Sequence, residues 1–426
     1  MLTTWAIICG GILFVFACAH FAWAYSFKKF CVEKKLAEFN TLTDEQLAGK
    51  VSILMSLRGV DPALKESLNS LLNQTHENYE LIVVVDHKTD YAWQVVEQIK
   101  SDHEHGNRIK LFELSDPSDT CSLKCNSLVQ GSRQIDEQSE YVIFVDADVV
   151  PHPDWVRDAI SPLQDATVGV VTGNQWYSPN KSNPGSIMRS LWNAGSLVPS
   201  AVYGHPWAGS CAMRRADLER SGLIQIWQKS IVDDGPIKKA MTDLGLSVYF
   251  QPRLIMVNHD QCTMGFVDRY VTRMLTWSRI YESAFINTVI HAWLMVGAIV
   301  ASLLVVGVSL WQQNWLALGW ILALILAAKI FTLISHLMVR SAVAKAIEGR
   351  DRQLARLSVG KLLLLFNLIP FCQLAHLMWT MRAIFSRRIR WREVTYHIRG
   401  KQNIKMIDYQ PYRLQNDSTS PSEVSI

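Results

Sequence analysis

The sequence predicts an α/β protein, a mostly parallel sheet with transmembrane helices at both ends of the chain. Three observations predict it. Between residues 51 and 265, short apolar runs rich in β-branched residues alternate with amphipathic stretches of helical period, as the strands and crossover helices of a parallel sheet do. Hydrophobic residues make up 49% of the 426 residues and charged residues only 19%, against about 25% charged in ordinary soluble domains. The apolar excess sits at the N-terminus and in the last third, with basic residues beside it. The net charge of +4 therefore fits a membrane surface better than nucleic acid.

Residues 4–27 are nearly uncharged and long enough to cross a hydrocarbon core of about 30 Å. Lys28, Lys29, Lys34 and Lys35 follow at once. Residues 1–27 therefore read as a retained anchor, with the chain beyond it on the cytoplasmic side. Residues 28–50 form a connector. A first strand is expected at 51–57, then a helix that Asp61 caps and Pro62 opens. A second strand at 81–85 ends in Asp86, a third lies near 109–114, and a fourth at 141–145 ends in Asp146-Ala147-Asp148. Further strands are expected at 168–172 and 250–258. Right-handed crossovers gather strand ends on one edge, so one cleft collects Arg58, Asp86, Asp146 and Asp148.

The cytoplasmic domain, residues 51–265, gives way to an amphipathic interfacial helix at 266–284, which carries Arg269, Arg273 and Arg279 among apolar residues. Residues 285–339 form a transmembrane hairpin interrupted by Lys329, and 340–358 a basic cytoplasmic loop. Residues 359–385 are apolar but broken by Asn367, Pro370, Gln373 and His376. Crossing the bilayer there would export Arg387, Arg388, Arg390 and Arg392, against the positive-inside rule. The segment is expected to turn back at Pro370 or to lie in the interface. Residues 386–426 complete the chain as a basic element and a Ser- and Thr-rich tail, expected to be disordered from Asn416.

Two acidic pairs are candidates for chemistry. Asp146 and Asp148, just past a strand, are hard oxygen ligands suited to Mg²⁺ or Mn²⁺ carrying a diphosphate; the alternative is a solvated turn. Asp233 and Asp234 precede a helical run, where Asp serves as a cap or as a base. Two acids for a metal and one for a base is the set that metal-assisted sugar transfer requires. Lys124 either meets a nucleotide or is solvated. Gly209-Ser210, inside an aromatic and small-residue run, marks close backbone approach to a ligand. The eight cysteines are scattered and form neither a zinc pattern nor a disulfide framework.

Taken in order, Asp86, Asp146-Ala147-Asp148, Asp233-Asp234 and Arg273-Met274-Leu275-Thr276-Trp277 resemble the motifs of membrane-bound family-2-type glycosyltransferases. The likeness is greatest to ceramide glucosyltransferases and to the bacterial hopanoid and lipid glycosyltransferases near them. HPWAGSCAMRR (205–215) is similar to that family's segment before the catalytic acid, and IPFCQLAHLMW with RRIRWREVTYHIRG to its C-terminal end. The resemblance covers residues 51–400 and implies a GT-A-type nucleotide-sugar-binding domain. It implies that Asp86 contacts uracil or ribose and Lys124 the nucleotide. Asp146 and Asp148 would hold the metal–diphosphate, and Asp234 would deprotonate the acceptor hydroxyl. Arg58, Arg273 and Trp277 would join the donor side, and Asp233, Gly209 and Ser210 the acceptor side. In one departure, the family's (Q/R)-x-x-R-W has Thr276 at its fourth position, with Arg279 on the same helix as a substitute. A literal R-x-x-R-W occurs only later, at 387–391.

The expected activity is inverting transfer of a hexose from a UDP-sugar donor, such as UDP-glucose, to the hydroxyl of a membrane lipid acceptor such as ceramide. Mg²⁺ or Mn²⁺ is the expected cofactor and the lipid bilayer the expected partner. A processive polysaccharide synthase shares the acids but needs a pore through the membrane. A nucleotide-sugar-binding protein without catalysis is the non-enzyme rival, and a transporter is a third.

Overall fold

The structure is a computed structural model that describes residues 1–32 and 47–412. Most of the connector and the tail from Asn416 lie outside the described residues. The central sheet contains β1 (Lys50–Leu57), β2 (Tyr79–Val85), β3 (Ile109–Glu113), β4 (Ser139–Val145), β5 (Val168–Tyr177), β6 (Ser210–Arg214) and β7 (Ser247–Asn258). Their order is β3-β2-β1-β4-β6-β5-β7. Neighbours pair in parallel except at β6, which runs against both β4 and β5. The sequence reading foresaw the parallel strands but not the reversal at β6.

The pleat sorts the side chains between two cores. Ile53, Met55, Leu57, Val83 and Val85 face one, and Leu54, Ile82 and Val84 the other. Helices Leu64–Leu72, Tyr91–Asp102 and Trp155–Ile160 close the first; Leu123–Ser132, Leu223–Trp227 and Ile237–Asp243 close the second. Every residue of β2 is buried, so the first group past it, Asp86, emerges only at the sheet edge. Strand order turns from leftward to rightward between β1 and β4. That switch point is where open α/β sheets leave a crevice.

A second sheet follows the last long helix: β8 (Arg388–Trp391), β9 (Val394–Gly400) and β10 (Asn403–Ile407), antiparallel in the order β10-β9-β8. Its Ile389, Val394, Tyr396, Ile398, Ile404 and Met406 pack into the second core beside Leu123 and Trp277. The sequence reading treated this stretch as a basic element without strands. The period-two alternation of Val394, Tyr396 and Ile398 was the signal that would have found β9.

Among the described residues, four helices are long and apolar enough to cross a membrane: Leu2–Val32, Phe285–Trp311, Trp315–Ala346 and Val359–Phe385. Leu2–Val32 packs against Trp315–Ala346 through small residues. A Cβ at Gly10 would lie 2.7 Å from the Cβ of Leu324, so the close approach requires glycine. Val359–Phe385 is one continuous helix through Pro370, so of the two expectations for this segment the reversal at Pro370 does not occur. Proline removes one backbone donor, a loss that packing on both flanks offsets. One end of this helix is tied to the sheet domain and the other to the helix Met264–Tyr281. Lys361 Nζ donates to the Pro179 carbonyl at 2.9 Å, and Arg279 donates to the carbonyls of Ile384 and Ser386 at 2.6 and 2.7 Å.

Candidate active site

The edge formed by β1, β2 and β4 brings Arg58, Asp86, Asp146 and Asp148 together. Arg58 pairs with Asp86, whose carboxylate is almost fully buried. The same Asp86 Oδ2 accepts from the backbone N–H of Tyr412 at 3.0 Å. Asp86 Oδ1 is buried with no hydrogen-bond partner among the described residues, leaving an acceptor for an incoming N–H or hydroxyl. Tyr409 and Tyr412 stand over the Arg58 guanidinium at 5.7 and 5.5 Å. Sequence reasoning missed both tyrosines.

Lys124 is the hub of the acidic cluster. Its helix is capped by Ser122, whose hydroxyl accepts from Cys125 N–H, and this sets the first turn against the sheet edge. Lys124 Nζ lies 2.6 Å from Asp146 Oδ1 and 2.8 Å from Asp233 Oδ2. Burial alone would lower the ammonium, but the charges of Asp146 and Asp233 outweigh it and hold it above its ordinary value. Of the two alternatives for Lys124, a solvated side chain is thus excluded. Asp233 is itself 1% exposed and walled off behind Lys124. Its carbonyl accepts from Trp227 Nε1 at 2.8 Å. Asp233 therefore positions Lys124 rather than facing an acceptor.

Asp148 accepts from Gln175 Nε2 at 2.9 Å. Burial, then the neighbouring charges of Asp146 and Asp61, push its carboxyl up to about 7. Two carboxyls crowded in this way fit a divalent cation that would relieve their repulsion. Among the described residues no three His, Cys, Asp or Glu groups converge as a metal cage. Any ion held here would complete its shell from a diphosphate and water.

Asp234 is half-buried at the other side of the cluster. Burial and the adjacent Asp233 charge push it up to about 8. Its loop is pinned to the helix Met264–Tyr281, since Ile231 N–H donates to the Tyr281 hydroxyl at 3.1 Å. His205 and Glu282 pair at 3.0 Å across the same junction. Arg273 and Trp277 on this helix face Trp391 of β8, the Arg273 Cζ 5.6 Å from its ring centre and the two indoles 6.2 Å apart. Arg279 points away, bound to the end of Val359–Phe385, and does not replace the arginine missing at Thr276. Thr276 is sealed within the helix packing, its hydroxyl bonded to the Thr272 carbonyl at 2.7 Å.

Gly209 and Ser210 sit in the site's floor rather than on an open acceptor face. Ser210 is fully buried and its hydroxyl accepts from Trp155 Nε1 at 2.8 Å. A Cβ on Gly209 would lie 2.2 Å from the Trp207 ring and 2.7 Å from Asp146 Oδ2. The close approach expected at this glycine is therefore to the protein's own Trp207 and Asp146. Gly209→Ala is expected to cost about 1–3 kcal/mol and to displace Asp146. Thermal melting together with donor KM would check it: a variant unchanged in both would show that the loop yields freely.

The chain is similar in fold to the mannosyltransferase PcManGT from Pyrobaculum calidifontis, solved with GDP-Man and Mn²⁺. The TM-score is 0.51 at 18% identity, over 82% of this chain and 100% of that one. In sequence it is 26% identical over 180 residues to the glycosyltransferase GlyA of Streptococcus pneumoniae, covering 42% of this chain and 24% of the relative. It is 30% identical over 115 residues to an uncharacterized glycosyltransferase of Haemophilus influenzae, covering 27% of this chain and 32% of the relative. The chain thus spans only a quarter to a third of those relatives' lengths. Sheet order and the structural likeness agree on a GT-A-type α/β fold. More narrowly, the chain belongs to glycosyl transferase family 21, whose model it matches over residues 4–404.

Proposed function

We propose that this enzyme transfers a hexose from a UDP-sugar, such as UDP-glucose, to the hydroxyl of a membrane lipid such as ceramide, with inversion at the anomeric carbon. The observation that carries the lipid acceptor is the pinning of the Asp234 loop to Tyr281. That residue ends the helix immediately before the apolar helix Phe285–Trp311, so the acid stands at the membrane end of the cleft. Asp234 takes the proton of the acceptor hydroxyl as its oxygen bonds to the anomeric carbon. The bond from that carbon to the diphosphate breaks in the same step, and the nucleoside diphosphate leaves with the electron pair. Asp146 and Asp148 would hold Mg²⁺ or Mn²⁺, which would supply positive charge at the diphosphate. Lys124 orients Asp146, and Asp86 with Arg58 receives the base or ribose. Lys28, Lys29 and the basic stretch 340–358 favour a cytoplasmic catalytic domain.

The test is turnover of UDP-sugars in detergent with mixed membrane lipids and Mn²⁺, with the lipid product analysed by mass. A single sugar on a lipid supports the reading, and a sugar polymer replaces it with the synthase. The pH dependence gives a second check. The base must be ionised, so kcat/KM rises with pH toward the Asp234 pKa, pushed up to about 8, and falls about tenfold per unit below it. An acid limb that persists in the residual activity of Asp234→Asn would belong to another group.

A further inference from the structure

We propose that Arg392, at the tip of the β8–β9 hairpin, binds the diphosphate of the donor together with Arg273. The inference rests on the nucleotide-sugar reading above and adds a residue that the motifs do not assign. Trp391 pairs with Val394, so Arg392 and Glu393 form a two-residue loop. Both have left-handed backbones, with φ of 48° and 65°. Loops of this geometry are those that Asn-Gly or Gly-Gly fill at little cost, whereas an L side chain there is strained. Strain of this kind is concentrated at binding and catalytic sites.

The tip is built into the cleft. Arg392 Nη1 donates to the Arg58 carbonyl at 3.0 Å, and the Arg392 carbonyl accepts from Arg58 Nε at 2.9 Å. Arg392 Nη2 approaches Asp61 Oδ2 only to 4.0 Å. The guanidinium thus lies between the Arg58 carbonyl and Asp61, beside the Arg58–Asp86 pair. Arg273 stands nearby against Trp391. Its Nε is buried without a hydrogen-bond partner among the described residues. Burial, opposed by Tyr270 and joined by the positive charge of Arg392, weakens Arg273's hold on its proton. Two guanidinium groups near each other, one with a vacant buried donor, match the two charged groups of a diphosphate. The hairpin thus delivers the cation that Thr276 does not.

The experiment is isothermal titration of the full chain in detergent with Mn²⁺, using UDP and uridine, or GDP and guanosine if wild type prefers that base. Wild type is compared with Arg392→Gln and Arg392→Lys. The diphosphate Kd is expected to rise at least tenfold in Arg392→Gln and less in Arg392→Lys, with nucleoside affinity within twofold of wild type. An equal loss for diphosphate and nucleoside assigns Arg392 a structural role and overturns the proposal. An unchanged diphosphate Kd also overturns it, while the donor reading stands. If Arg392→Gln melts well below wild type, Arg392→Lys, which keeps the charge, carries the comparison. A wild type that binds neither UDP nor GDP removes the donor reading and this inference with it.

Discussion

Asp234→Asn is expected to lower kcat about 10²–10⁴-fold while leaving donor affinity within about twofold of wild type. The asparagine keeps the shape and the hydrogen-bonding reach of the side chain but cannot accept a proton from the acceptor hydroxyl. Donor binding is spared because the groups proposed to receive the base and the diphosphate, Asp86, Arg58 and Asp146, lie on the other side of Lys124. Single-turnover transfer to lipid, read beside UDP titration, separates the two quantities. A fall in donor affinity as large as the fall in kcat would make Asp234 a binding residue instead. Unimpaired kcat would move the base elsewhere.

Lys124→Met should destabilise the fold as well as abolish transfer. The ammonium stands between Asp146 and Asp233, the latter buried and with no other ion-pair partner among the described residues. Removing one partner of a buried ion cluster leaves uncompensated charge, a loss of about 3–5 kcal/mol. For a domain of this size that is roughly 2–4 °C per kcal/mol, so the melting temperature should fall by about 10 °C. The loss should shrink as pH falls, because burial raises the Asp233 carboxyl above its ordinary value, and protonating it removes the buried charge that Lys124 now offsets. Thermal unfolding in detergent at several pH values measures both effects. A midpoint within about 2 °C of wild type at neutral pH would show that charge does not hold this cluster together.

Local signals made much of this molecule legible. The apolar runs that end abruptly in Arg58, Asp86 and Asp146 mark β1, β2 and β4, because a strand buried on both faces is dominated by apolar and β-branched residues until it leaves the sheet. The long uncharged segments marked the apolar helices for the same kind of reason. Val359–Phe385 was harder, since Pro370 reads as a break in one dimension while its neighbours hold it in three. β6 was missed because nothing local distinguishes an antiparallel strand inserted between parallel ones.

The sequence by itself determined the α/β class, the apolar helices and the ordered set of acids, since strand composition, hydrophobic length and residue order are properties of the chain alone. Only the tertiary structure decided which of those residues share a cleft. It turned Ser210 toward Trp155, placed Asp233 behind Lys124, tied Arg279 to a distant helix end and carried Trp391 and Arg392 back across more than a hundred residues to Arg273 and Arg58. Side-chain direction and long-range pairing are set by packing and charge between segments far apart in the chain, and no window of sequence contains both partners.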